Sequence, residues 1–577
     1  MTVIAQNIAR ANPATNKGWG VTLEPMQAAI VGPDLQTTSL VLGGVVLFVL
    51  LLACANIANL ILARGVGRTR ELAVRAALGG SRLRIARQLI AECLLLGALG
   101  GFAGVALAWA LLRAALSLVP PQTLPSSIVM TLDWRAAAFA SVTTMLTALL
   151  FGLAPAWQAA RVPLVEAMNA GGRGSSDRAG RLRQTLAVVE IAIALLLMTG
   201  AGLLVRTLIS LDNVDPGYRA DNVLTMNLPL PFRRLLTAKP GEIAAYWRSI
   251  DREVSSIPGV RMASLGFGLP LAGASIRPPF DVVGRPAADP ANRPSAHYQI
   301  VGPRYFETLG IPVVAGRAFT ERDSETASQV CIVSDAFVRR FLAGQDPIGS
   351  RIAIAIPGLS NRPVTREIVG VVRHVKVRPD EPADDTFQVY VPAAQSPWIQ
   401  ATVIVRTAGE PLQMVEQVKR AIARADPTQA VSLVRTMEDV SALSTARPRF
   451  RAQLVAAFAM LATVLAAAGI FSVLMFMVQQ RAREFSVRLA VGASARDLLR
   501  LVLGGGLKLT AIGVTIGIAA SAVLVRSLTT LLFGVAPFDP LSFVVPPLAL
   551  TVVALLACLA PALRALRVEP AAALRAE

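Results

Sequence analysis

The sequence predicts an α-helical transmembrane bundle of about seven spans, with one inserted α/β (α+β) domain lying outside the cytoplasm. Three observations carry this reading. The 577 residues are 54% hydrophobic and only 16% charged, and mean hydropathy is +0.55. That is too apolar for a soluble protein and too charged for a bare bundle of spans. The net charge of +19 matches a nucleic-acid binder in magnitude, but the arginines crowd into short segments beside apolar runs with few aromatics between them. This is the positive-inside pattern, and no nucleic-acid partner is expected. Finally, one long polar stretch, 206–451, interrupts the apolar runs.

The elements follow in chain order. Residues 1–37 are mixed and polar, with no basic region leading into an apolar one, so they do not read as a signal peptide. The first span is about Thr38–Ala63, and its Asn56 and Asn59 are expected to bond across helices rather than hold substrate. Between Arg64 and Ile90 lie seven arginines against the single acid Glu71, which places this loop in the cytoplasm. The second span, about Ala91–Val119, is rich in Gly and Ala, which suits close helix packing. A third span, about Ala136–Trp157, returns to a basic segment ending in the Gly/Ser-rich piece Gly171–Gly180, which reads as a linker over 171–183. The fourth span is about Gln184–Val205. Its Glu190 lies toward the cytoplasmic end, where snorkelling or capping is expected rather than a proton relay.

By the count of crossings, 206–451 is outside the cytoplasm. β-branched runs (Gln299–Val301, Val330–Val333, Glu367–Val372, Thr402–Val405) alternate with helical stretches (Gly241–Ile257, Leu412–Ala425), the signature of a mixed domain. Three further spans follow, about Gln453–Val478, Leu501–Val525 and Ser542–Leu563. The lipid bilayer is thus the first partner.

The chain repeats itself. Arg68-Thr-Arg-Glu-Leu-Ala-Val-Arg-Ala-Ala-Leu-Gly-Gly-Ser81 returns as Arg481-Ala-Arg-Glu-Phe-Ser-Val-Arg-Leu-Ala-Val-Gly-Ala-Ser494, 413 positions later, each time between two spans. On a helix Arg68, Glu71 and Arg75 share one face at i, i+3 and i+7, while Val74 and Leu78 lie round the side. A single such helix reads as an interfacial anchor; two copies ask for a partner with two equivalent docking points. The tails match as well, Ala154-Pro-Ala with Arg161-Val against Ala560-Pro-Ala with Arg567-Val. Counted back by this offset, the counterparts of the fourth span and of most of the insertion fall before Met1. Residues 1–37 therefore read as the remnant of a first extracytoplasmic domain, and the chain as N-terminally shortened through a misplaced start or a truncated gene.

Several chemistries are poorly supplied. Cys54, Cys93, Cys331 and Cys558 are scattered, and only Cys331 lies in the polar insertion, so an internal disulfide there and a CxxC metal site are both excluded. The only histidines are His297 and His374. No G-x-x-x-x-G-K-[ST] phosphate loop, G-x-S-x-G or H-E-x-x-H occurs. No catalytic residue, cofactor or metal is expected, and a proton-coupled carrier is disfavoured because no span has an ionisable residue near its midplane.

With these residues in view, the motif Arg-x-x-Glu-x-x-x-Arg-x-Ala-x-Gly-x-Ser between spans resembles the FtsX-like permease domain of MacB-type ABC transporters. Tyr305–Asp323 with Asp346-Pro-Ile-Gly349 resembles the MacB-like periplasmic core domain. The whole is similar to the duplicated, acidobacterial-type permease family. The resemblance implies a first FtsX-like module over 38–170, a span at 184–205, a core domain over 206–451 and a second module over 452–577. It implies an inner-membrane permease whose ATPase is a separate nucleotide-binding subunit, with an outer-membrane or periplasmic partner as a further expectation. The ATPase-coupling loops would hold Arg68, Glu71, Arg75, Gly79 and Ser81, and Arg481, Glu484, Arg488, Gly492 and Ser494. Coupling of ATP hydrolysis to movement of the outside domain, for efflux or export, is the leading function. The alternative is an FtsX-like regulator of an extracytoplasmic enzyme such as a cell-wall hydrolase.

Overall fold

The computed structural model describes residues 2–11, 23–67, 82–118, 131–161 and 173–566, apart from 232–233, 235–236, 273–275, 286–292, 357–359, 380, 382–385, 397, 481–483 and 485–493. Two compact units result. One holds Met1–Met26 and Leu211–Arg447; the other holds Gln27–Ser210 and Pro448–Glu577.

Helices are numbered along the chain. α1 (Thr2–Ala11) belongs to the first unit, and the second contains α2 (Met26–Gly67), α3 (Arg82–Leu118), α4 (Trp134–Arg161) and α5 (Arg173–Asp212). Among the described residues six helices are long and apolar enough to cross a membrane, over Gln36–Asn59, Ile90–Ala114, Gly180–Asp212, Met437–Val478, Arg496–Leu528 and Pro540–Leu563. The predicted third span is helical too, as α4, but is not among those six. Helices are the required form here, because lipid offers no partner to a backbone N–H or C=O. α5 starts at Arg173, inside the stretch that reads as a linker, so the Gly/Ser-rich piece continues as helix.

The spans are unequal in burial. Two thirds of the most apolar window of α5 is buried, against none of that of α3. The reason is an apolar core that gathers Leu52 of α2, Ile191, Leu195 and Ala201 of α5, and Leu474, Leu550 and Cys558 from the spans after the insertion.

In the other unit the insertion builds one mixed sheet from β1 (Val223–Pro229), β2 (Val260–Phe267), β3 (Phe280–Val282), β4 (His297–Val301), β5 (Val313–Gly316), β6 (Val330–Ser334), β7 (Arg351–Ile356), β8 (Ser360–Val372), β9 (Gln388–Pro392), β10 (Gln400–Thr407) and β11 (Ser432–Thr436). The order is β11-β1-β10-β2-β4-β9-β6-β8-β7-β3, with β5 against β8. β4 with β9 and β6 with β8 are parallel; the other pairings are antiparallel. The four β-branched runs are strands β4, β6, β8 and β10, and the first and second of them are buried along their whole length, with His297 and Gln299 of β4 among the buried residues. β2 and β4 meet through only two residue pairs, Gly266 with Val301 and Phe267 with Ile300.

α6 (Pro240–Ser255) and α9 (Val415–Ala425) cover the β1/β10/β2 side, burying Tyr246, Trp247, Ile250, Val418, Ala421 and Ile422 against Leu224, Val403 and Val405. Val418, Ala421 and Ile422 fall at i, i+3 and i+4, which gives α9 one apolar stripe. α6 opens on Pro240 with the Glu242 carboxylate accepting the Lys239 N–H at 3.1 Å. α7 (Tyr305–Leu309) and α8 (Asp335–Phe341) are short; the Ser334 hydroxyl accepts the Phe337 N–H at the start of α8. The remaining helices are α10 (Met437–Gln480), α11 (Ala495–Leu528) and α12 (Pro540–Leu566).

Candidate functional site

The two motif copies define the first candidate. Arg68, Glu71, Arg75, Gly79 and Ser81 lie outside the described residues, as do Arg481, Arg488 and Gly492. Glu484 is helical, and Ser494 starts α11. Its backbone N–H and hydroxyl both donate to Asp497 Oδ2, at 3.1 and 2.7 Å, so the closing Ser of the motif opens the next span.

A second constellation lies where α2 and α10 meet. These helices are repeat counterparts, and they touch at counterpart positions. Arg451 donates to the Thr38 hydroxyl at 3.1 Å, and 38 and 451 differ by the repeat offset of 413. The Asn56 amide donates to Leu52 O of its own helix and to Leu465 O of α10, at 3.2 and 3.0 Å, and 52 and 465 differ by the same offset. Contact between equivalent positions is the mark of an isologous interface, here between two halves of one chain. Asn56 thus bonds across helices, as its place in an apolar run implies.

Asn59 does the same, and through it Glu190 departs from expectation. Glu190 neither snorkels nor caps. Its side chain is fully buried, and Oε1 accepts Asn59 Nδ2 at 3.2 Å. A methyl group at 469 would overlap Glu190 Oε2, so the carboxyl fits because α10 has Gly469 there. The depth of a residue in an apolar run does not reveal which helices enclose it. Arg183, two turns earlier on α5, is also buried, its guanidinium 3.7 Å from the Phe476 ring centroid. Its place at the edge of an apolar run is too weak a signal to reveal this. On the other side of the unit Arg206 pairs with Asp539 at 3.3 Å, and Asp539 accepts from the Ser542 N–H and hydroxyl at the start of α12.

In the sheet unit the quoted core-domain residues form local structure. Tyr305, Phe306 and Leu309 of α7 are buried, with Phe306 edge-on to Tyr390 at 5.0 Å. Gly310 ends the helix at φ +66°, the left-handed conformation glycine adopts without strain. Arg317 grips Asp323 through two hydrogen bonds of 2.8 Å, and Thr320 N–H donates to the same carboxylate. Burial opposes ionisation of Asp323, but Arg317 and the Thr320 N–H hold its carboxyl below the usual aspartate value. In Asp346–Gly349 the Asp346 carboxylate accepts Ile348 N–H at 3.0 Å, and Gly349 takes φ +83°. These residues shape loops rather than line a reacting centre.

His297 Nε2 lies 3.4 Å from Glu381, which burial pushes up but His297, Arg277 and Arg378 hold below the ordinary glutamate value. Burial lowers His374. Among the described residues no group of three or more His, Cys, Asp and Glu side chains is placed to hold a metal ion.

Apolar helices interrupted by a mixed α/β domain define the class: a multi-pass inner-membrane protein with one extracytoplasmic insertion. The FtsX-like permease C-terminal family matches residues 43–164 and again 456–570, and the MacB-like periplasmic core domain matches 185–436. The chain belongs to the FtsX-like permeases that carry a MacB-like periplasmic core domain. It is 22% identical over 236 residues to the macrolide export ATP-binding/permease protein MacB 2 of Aeromonas hydrophila, covering 38% of this chain and 34% of the relative. It is 35% identical over 133 residues to the pyoverdine export ATP-binding/permease protein PvdT of Pseudomonas savastanoi pv. phaseolicola, covering 23% and 19%. The chain thus spans about a third or less of the length of these curated relatives. Among solved structures, the periplasmic region of MacB from Actinobacillus actinomycetemcomitans is 14% identical, with a TM-score of 0.27, covering 39% of this chain and 92% of that one.

Proposed function

We propose that this chain is the membrane permease subunit of an ABC transporter, working in the export direction with a separate ATPase. Hydrolysis in that partner drives the cytoplasmic loops, and the spans pass the motion to the extracytoplasmic domain over 206–451. The modules at 38–170 and 452–577 supply one docking loop each. The observation that carries this reading is the duplicated Arg-x-x-Glu-x-x-x-Arg-x-Ala-x-Gly-x-Ser motif, set both times between two spans. Fixed charges on a short helix beside a span suit a rigid-body push. The sequence contains no phosphate loop of its own, which supports an ATPase supplied from elsewhere. Both curated relatives named above are export ATP-binding/permease proteins, which favours export.

The test is site-specific photo-crosslinking from positions 81 and 494 in native membranes, with the captured protein identified by mass spectrometry. The expected result is one nucleotide-binding ATPase caught from both sites. Capture of no ATPase from either position would leave the motif as a membrane anchor and remove the proposal.

A further inference from the structure

The Asn59–Glu190 contact leaves hydrogen-bonding capacity unused. Asn59 Nδ2 donates to Glu190 Oε1 at 3.2 Å, yet Asn59 Oδ1 and Glu190 Oε2 are both buried without a partner. If Glu190 is a carboxylate, these two oxygens are acceptors only, and no rotation can pair them. A single hydrogen on the carboxyl changes this, because the acid O–H then donates to the amide oxygen. The terminal torsions of both side chains are broad, so the two planar groups can turn to face each other and form both bonds at once.

Among the described side chains none supplies Glu190 with a countercharge. α2 has no charged residue from Thr38 to Asn59, α10 has none from Ala452 to Gln480, and α12 has none from Pro540 to Leu563. On α11, Gly513 faces Ile191, the neighbour of Glu190, while Lys508 is exposed. On α5 itself the nearest charge is Arg183, seven residues away and packed over Phe476. Gly469 lies against Oε2, where a methyl group would overlap the oxygen. A buried carboxylate with one donor and no cation is a costly arrangement, and a neutral acid paired to an amide is a satisfied one.

We propose that Glu190 is a proton-binding site, its carboxylic acid closing a two-point clasp with the Asn59 amide that ties α2 to α5 beside Gly469. The ligand is the proton itself. Asn59 belongs to the first repeat and Glu190 to the span that precedes the insertion, so the clasp joins the two parts of the membrane unit on one side of the α2/α10 contact. The other repeat has no such pair: the counterparts of Asn56 and Asn59 on α10 are Gly469 and Ser472.

The full-length protein in lipid nanodiscs tests this by infrared spectroscopy at neutral pH. A protonated-carboxyl C=O band is expected in the wild type, absent from Glu190→Gln and shifted in Asn59→Leu, where the acid loses its acceptor. Absence of the band from folded wild-type protein overturns the proposal, as does a band that survives Glu190→Gln or does not move in Asn59→Leu. Should Glu190→Gln not fold, the wild type against Asn59→Leu still decides, since the shift requires an acid bonded to that amide.

Discussion

Two glycines separate the halves of the membrane unit. Gly513 and Gly517 of α11 receive α5: a methyl group at 513 would lie 2.7 Å from Ile191 Cβ, and one at 517 would lie 2.9 Å from Leu195 and 3.0 Å from Ala192 O. Their repeat counterparts on α3 are Gly100 and Gly104, at the same offset of 413, and a methyl group at either would meet nothing within 4 Å. The same small-residue spacing is therefore a packed seam in one copy and an open face in the other. Gly and Ala allow backbones to approach, but whether they do depends on a partner helix. α3 packs toward α4, where a methyl group at Gly101 would lie 3.8 Å from Thr144.

This asymmetry can be broken by substitution. Gly517→Leu should cost about 3 kcal/mol through overpacking against Leu195, whereas Gly104→Leu should stay within about 0.5 kcal/mol. Thermal unfolding of the full chain in detergent reads both, and equal losses would show that the two faces are occupied alike.

The cytoplasmic loops should behave in the opposite way. If both copies dock on one ATPase, Arg75→Glu and Arg488→Glu should each weaken its association by about tenfold, roughly 1.4 kcal/mol, without stopping membrane insertion. Co-purification with the ATPase measures this. Loss from only one of the two would make the loops as unequal as the glycine faces, and normal association of the double variant would end the docking reading.

A smaller effect is expected at the contact of the repeat counterparts. Asn56→Leu removes the hydrogen bond to Leu465 O and should destabilise the unit by about 1 kcal/mol. The sheet unit supplies a reference outside the repeat. The Asp323 carboxyl sits below its ordinary value in the folded state, so its contribution is complete above the usual aspartate range. It fades as pH falls through the lower, folded value. With Arg317 half-exposed, that contribution is about 1 kcal/mol or less. Asp323→Asn should flatten the acid limb of thermal unfolding, and an unchanged limb would show that another carboxylate sets it.

Much of this organisation was legible in the sequence because its signals are local. Apolar runs gave the spans, β-branched runs gave β4, β6, β8 and β10, and the repeat was visible as identical residues at a fixed offset. Helix ends were less legible. α2 reaches back to Met26, α5 to Arg173, and α10 passes through Pro448, since polar and Gly-rich residues at a span's edge do not themselves stop a helix. The order of eleven strands depends on pairings far apart in the chain, such as β1 with β10, and no local pattern reports them. Glu190 was misjudged, and Arg183 passed over, for the same reason. Their surroundings come from α10, nearly three hundred residues away at Gly469 and Phe476.

The contact of Arg451 with Thr38 has an evolutionary reading. In a pair of identical halves each of these positions would face its own copy, and arginine would face arginine at the cost of like-charge repulsion. Joining the halves in one polypeptide fixes their stoichiometry at one to one and frees each side of the axis to change alone. One side can then keep a cation and the other its hydroxyl acceptor. One side can likewise carry Asn56 while the other keeps the glycine that makes room for an acid. The duplication stores two different inheritances in a single gene product.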